Sequence, residues 1–166
     1  MEIYLIDYLG VHCGMHYYLD AFKKILSNDI PNANVRILSN YTDDMEKSFF
    51  LHQYKGSKLQ KIVSLIRNYW RLYRFVVKHK NAICIYLTYG NWLDIPFLWI
   101  ITHAKRHIID IHEAIAQDLD DNSHLKRFFK GIYSSRVKCA IVHSERTKQF
   151  LDKFGYTGCR LFVPHF

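Results

Sequence analysis

Six short apolar runs, each four to seven residues long and closed by polar side chains, alternate with segments of helical period. That alternation constrains the fold more than any other feature. The clearest run is His107-Ile108-Ile109-Asp110-Ile111-His112-Glu113. Apolar runs of this length, bounded by polar residues, suit strands covered on both faces. The others are Glu2 to Tyr8, Val35 to Leu38, Ala82 to Leu87, Lys138 to His143 and Arg160 to Val163. Strands alternating with helices predict a doubly wound α/β fold: a Rossmann-like, mostly parallel six-stranded sheet with helices on both faces.

The intervening segments read as helices. His16 to Leu26 follows a loop holding Gly10 and Gly14. Ser57 to His79 is the longest. Leu59, Ile62, Val63, Ile66, Tyr69, Trp70, Tyr73, Val76 and Val77 recur there at helical spacing as one broad apolar face, expected to pack. Arg67, Arg71, Arg74 and Lys78 fall on a stripe expected on the other side. A further helix to about His103 takes Asn91 or Asp94 as its cap and Pro96 in its first turn. Asn122 or Ser123 caps a helix to about Ser135. Ser144 is a natural N-cap for Glu145 to Phe154, and Gly155 a natural stop. Asn40 to Gly56 has no clean period and reads as an irregular excursion.

At 166 residues the chain suffices for one domain, 1–166. It ends two residues after Pro164 with nothing to cover the last strand, so it is expected to be one domain of a longer chain. The formal net charge of +8 favours anionic partners without choosing among phosphates, nucleic acid and acidic membranes. No recognition helix or RNA-binding motif accompanies the charge, so no nucleic-acid partner is expected. Cys13, Cys84, Cys139 and Cys159 lack zinc-ligand spacing and read as free thiols of a reducing, cytoplasmic setting. The N-terminus lacks the basic start and apolar stretch of a signal peptide. The most apolar segment, Ile95 to Thr102, is far shorter than the ~20 residues a spanning helix needs.

Ala140-Ile141-Val142-His143-Ser144-Glu145, then Phe150-Leu151, Gly155 and Val163-Pro164-His165, resembles the end of the first domain of many bacterial glycosyltransferases. These are the nucleotide-sugar-dependent enzymes of the GT-B fold, similar to glycosyltransferase family 4. Ile109-Asp110-Ile111-His112-Glu113 looks like that family's preceding strand, which ends in His followed by an acid or Asn. The strand, Gly loop and helix of Ile3 to Leu26 also fit. The resemblance covers the whole chain in architecture and three short motifs in sequence. It implies the N-terminal, acceptor-binding half of a retaining sugar transferase in surface polysaccharide biosynthesis. A C-terminal domain would hold the nucleotide-sugar donor, so this domain alone is expected to bind no cofactor and to be inactive.

The resemblance assigns His112 a catalytic place at the rim of the sheet, facing the cleft near the transferring sugar, where an imidazole hydrogen-bonds hydroxyls or steadies charge on the departing phosphate. The plainer alternative is a ring that closes the strand and bonds a neighbouring carbonyl. Glu113 would accept from acceptor hydroxyls, or be a solvated loop acid. Gly14 would let backbone N–H groups approach the donor pyrophosphate at a helix N-terminus; an ordinary turn is the alternative. The segment is not G-x-G-x-x-G, so a dinucleotide fingerprint is absent. His12 and His16 would line the acceptor side, and Tyr89 and Asn91 would contact a sugar ring or hydroxyl. No metal is expected: His103 and His107 straddle a helix end and a strand start, which breaks the shared face a metal pair needs.

Such enzymes often act on lipid-linked acceptors at the inner leaflet. The Arg67, Arg71, Arg74 and Lys78 stripe would then be drawn to anionic head groups, giving peripheral membrane contact; a solvated helix face is the alternative. A competing function is a non-catalytic Rossmann-like binding or regulatory module. The sequence following Phe166 distinguishes the two, since the transferase needs a donor domain there.

Overall fold

The computed structural model describes residues 1–9, 15–40, 49–51, 57–112 and 123–163. Among these residues lie six strands and five helices: β1 (Glu2–Asp7), α1 (His16–Asp29), β2 (Asn34–Ser39), α2 (Lys58–Lys78), β3 (Ile83–Thr88), α3 (Asp94–Ile101), β4 (Arg106–Ile111), α4 (His124–Ser135), β5 (Cys139–Val142), α5 (Glu145–Lys153) and β6 (Cys159–Phe162). The strands form one parallel sheet in the order β2-β1-β3-β4-β5-β6. The expected α/β, Rossmann-like sheet is therefore present, and every strand lies within a residue or so of its apolar run. Two compact units divide the chain, Met1–Cys84 with Ala104–Arg106 and Ile85–His103 with His107–Phe166.

In the first unit, β1 and β2 pair in parallel with Glu2 opposite Asn34 and Asp7 opposite Ser39. β1 is buried from Ile3 to Asp7, as a strand covered on both faces must be. α2 starts on a capping box: Ser57 Oγ accepts the Gln60 N–H, and Gln60 Oε1 accepts the Ser57 N–H at 2.7 Å. Its buried positions are Asn68, Leu72 and Val76. Asn68 is fully buried and satisfied at both ends of its amide, since Oδ1 accepts the Leu51 N–H at 2.8 Å and Nδ2 donates to the Leu51 carbonyl at 3.0 Å.

This corrects the expected orientation of α2. Of the broad apolar face only Val76 is buried and Tyr69 half-buried. Leu59, Ile62, Val63, Ile66, Trp70, Tyr73 and Val77 are exposed, between 39% and 71%. Arg67, Arg71, Arg74 and Lys78 are exposed as well and flank that arc rather than oppose it. The physical reason is that the helix carries two apolar arcs. The one containing Leu72 and Val76 packs because Asn68 beside it can reach the Leu51 backbone.

In the second unit, β4 pairs with β5 and β5 with β6, both parallel. Phe97, Leu98 and Ile101 of α3, Phe129 and Tyr133 of α4 and Phe150 and Leu151 of α5 supply its core. α5 begins as expected: Ser144 Oγ accepts the Thr147 N–H at 3.1 Å, and Gly155 ends the segment at φ +68. Ser123 stands at the N-cap of α4, but its side chain makes no capping hydrogen bond. Asn122 lies outside the described residues. Cys139 is directly opposite Cys159 across β5 and β6, and both are free thiols.

Candidate functional site

The register of β4 against β5 builds the site. Ile111 lies opposite Val142, so the residues that follow, His112 and His143, leave the sheet side by side. Side chains alternate along a strand, which puts Asp110 on the same face as His112. An acid inside an apolar strand, two residues before the strand end, is thus brought under two imidazoles.

His143 is held from both sides. Its Nδ1 lies 2.7 Å from the Val163 carbonyl and its Nε2 lies 2.7 Å from Asp110 Oδ1. A carbonyl oxygen can only accept, so Nδ1 carries a proton and donates it to Val163. A second proton joins Nε2 to Asp110. Asp110 is fully buried and the His143 side chain only 3% exposed. Burial works against the imidazolium, but the hydrogen bond to Asp110, its charge and the Val163 carbonyl outweigh it, and the pKa of His143 is raised above its ordinary value.

His112 lies over this pair. Its ring is 4.5 Å from that of His143, with 27° between the planes, and its Nε2 is 3.4 Å from Asp110 Oδ1. Its side chain is only 5% exposed. The ring is therefore turned in against Asp110 and His143 rather than projecting from the rim of the sheet. The trio can hold a proton between a buried carboxylate and an imidazole, with a second imidazole against them.

Asp110, His112 and His143 also offer ligand atoms within 4.8 Å of one another, a grouping that could take a metal ion. The described geometry favours a proton there. Both His143 nitrogens already face oxygen acceptors, so an ion on Nε2 would have to displace the proton that joins it to Asp110. A proton needs no rearrangement of this trio.

At the end of β3, Gly90 adopts φ +69 and turns the chain. Asp94 organises this turn while fully buried: Oδ1 accepts from the Tyr86 hydroxyl at 2.8 Å, and Oδ2 accepts the Tyr89 N–H at 2.8 Å and the Asn91 N–H at 3.1 Å. Burial pushes its carboxyl up to about 6 although the hydrogen bonds lower it. Asp94 thus ties α3 to the strand end, and no side chain caps the helix at Leu93. Tyr89, expected to meet a sugar, is 4% exposed and belongs to the core. Asn91 is half-buried, and its Oδ1 accepts the Leu93 N–H at 2.8 Å.

His16 opens α1 in the first unit and is half-exposed, its ring 3.9 Å from that of Tyr17. Also in that unit, Asp7 is fully buried at the end of β1 and Asn40 nearly so just after β2, and Asn40 Nδ2 donates to the Leu9 carbonyl at 3.1 Å. His12, Gly14 and Glu113 lie outside the described residues. His103 Nδ1 lies 2.7 Å from the Trp99 carbonyl, whereas the Lys138 N–H donates to His107 Nε2 at 3.2 Å. Each serves a different stretch of backbone.

Sequence reasoning singled out His112 and missed Asp110 and His143, the pair on which it rests. The signal was available. An acid within Ile-Ile-Asp-Ile must be paired if the strand is buried, and His143 ends the very next strand. No protein-family model and no curated protein matches the chain. Among the described residues no helix is long and apolar enough to cross a membrane.

Proposed function

We propose that this chain is the acceptor-binding half of a nucleotide-sugar-dependent glycosyltransferase of the GT-B type, similar to family 4, working in bacterial surface polysaccharide biosynthesis at the cytoplasmic side of the membrane. The observation that carries the reading is the buried Asp110–His143 pair with His112 laid over it, at the carboxyl ends of β4 and β5. Open α/β sheets receive their ligands at that edge. The shared proton keeps His143 a donor and holds Asp110 compensated. His112, resting on that pair, is the residue proposed to steady negative charge on the departing phosphate. The nucleotide sugar itself belongs to a C-terminal domain.

Gly14 is proposed to face the donor pyrophosphate, and His12, His16, Asn91 and Glu113 to face the acceptor. Tyr89 enters through the turn it begins, since its ring is in the core. The test is turnover of the enzyme that includes the donor domain, with labelled nucleotide sugars. His112→Ala lowers the rate by at least about 100-fold, as loss of one charge-stabilising group does. A near-normal rate removes His112 from the site.

A second reading, a non-catalytic Rossmann-like binding module, is favoured by one observation: the rings of both His112 and Tyr89 are turned inward. It predicts that His112→Ala alters stability alone, and that no donor domain follows Phe166.

A further inference from the structure

We propose that α2 is a membrane-docking helix, lying along an anionic bilayer with Leu59, Val63, Ile66, Trp70, Tyr73 and Val77 in the head-group region. The inference rests on α2 alone and does not require the transferase reading. These six positions follow the spacing 4-3-4-3-4 and are all exposed. With ~100° of rotation per residue they make one continuous stripe. Trp70 and Tyr73 sit within it with ring centroids 5.7 Å apart, and such amphipathic rings favour the boundary between head groups and acyl chains. The opposite face of the helix is already committed to the core through Asn68, Leu72 and Val76.

Charge selects the occupant. The 21 residues of α2 carry Lys58, Lys61, Arg67, Arg71, Arg74 and Lys78 and not one acid. A second copy laid on the stripe would bring cations against cations with no carboxylate on either helix to pair them. An anionic bilayer complements both parts at once, taking the apolar stripe into its boundary and the flanking cations onto its phosphates. Arg71, Arg74 and Lys78 also line an open groove of about 650 Å³ walled by Phe49, Tyr73 and Phe75, which can receive a phosphate head group.

The experiment is co-sedimentation of the purified chain with vesicles of phosphatidylcholine, with and without phosphatidylglycerol, at low and high salt. The chain pellets with the anionic vesicles at low salt, at least about ten-fold more strongly than with the neutral ones, and salt weakens the binding. The double variant Ile66→Ser with Trp70→Ser loses binding at least about ten-fold. Changing Arg67, Arg71, Arg74 and Lys78 to Gln removes the preference for anionic lipid. Ile66 and Trp70 are exposed, so circular dichroism should show unchanged melting for the serine variant; the glutamine variant loses the hydrogen bond from Arg71 Nη1 to the Phe49 carbonyl at 3.0 Å and should melt slightly lower while remaining folded. The proposal is overturned if the wild type stays in the supernatant, or if the serine variant pellets as the wild type does. It is equally overturned if sedimentation equilibrium shows a dimer that the serine substitutions split, which would make a second copy the occupant.

Discussion

At the scale of single residues, two buried acids set the pH behaviour. Asp94 titrates near 6 in the folded chain against an ordinary 3.8. Between those values the folded state binds more protons than the unfolded state, so raising the pH through the window favours unfolding. The loss is on the order of 3 kcal/mol. Asp94→Asn keeps an acceptor for the Tyr89 and Asn91 N–H groups and removes the charge. Urea denaturation from pH 4 to 7 should therefore show a decline in the wild type that is missing from the variant. Asp110 answers to His143. His143→Ala removes the nearest partner of a fully buried carboxylate, leaving His112 Nε2 at 3.4 Å, and should destabilise by roughly 3 kcal/mol. The raised His143 pKa adds stability that is fully present below its ordinary 6.5 and fades as pH rises through the folded value. Asp110→Asn leaves burial as the dominant influence on His143. Histidine ring NMR should then show its pKa lowered.

At the scale of elements, α2 separates what periodicity reveals from what it conceals. Its length, its start at Ser57 and its end near His79 were legible, because caps and spacing are local properties. Which of its two apolar arcs faces inward was not legible. That choice depends on Asn68 meeting Leu51, 17 residues earlier, and no local pattern encodes the meeting. β1, β3, β4 and β5 were legible for the opposite reason: a strand covered on both faces is mostly apolar and needs no choice of face, whereas β2 is partly exposed and β6, expected to be buried, has Leu161 and Phe162 exposed. The trio at the strand ends was half legible, since His112 stood out and its partners became visible only through the register. For α2 the consequence is measurable. Asn68→Ala removes both hydrogen bonds to the Leu51 backbone and should cost about 1–3 kcal/mol. Ile66→Ala, on the exposed arc, should stay within about 0.5 kcal/mol. Thermal melts of the two variants test which face is the core.

At the scale of the molecule, a parallel α/β sheet places polar residues at its carboxyl edge as a consequence of strand direction. What distinguishes this chain is that the register of β4 and β5 turns such residues into a buried proton-sharing pair with a third group laid on it. The most direct measurement of the proposed function is single-turnover sugar transfer by the chain joined to the donor domain that the proposal requires, comparing wild type with His112→Ala after both are shown to melt alike. A loss of at least about 100-fold in the transfer step is the expected result. Transfer within about two-fold of wild type would contradict the account, leaving the trio a structural clasp.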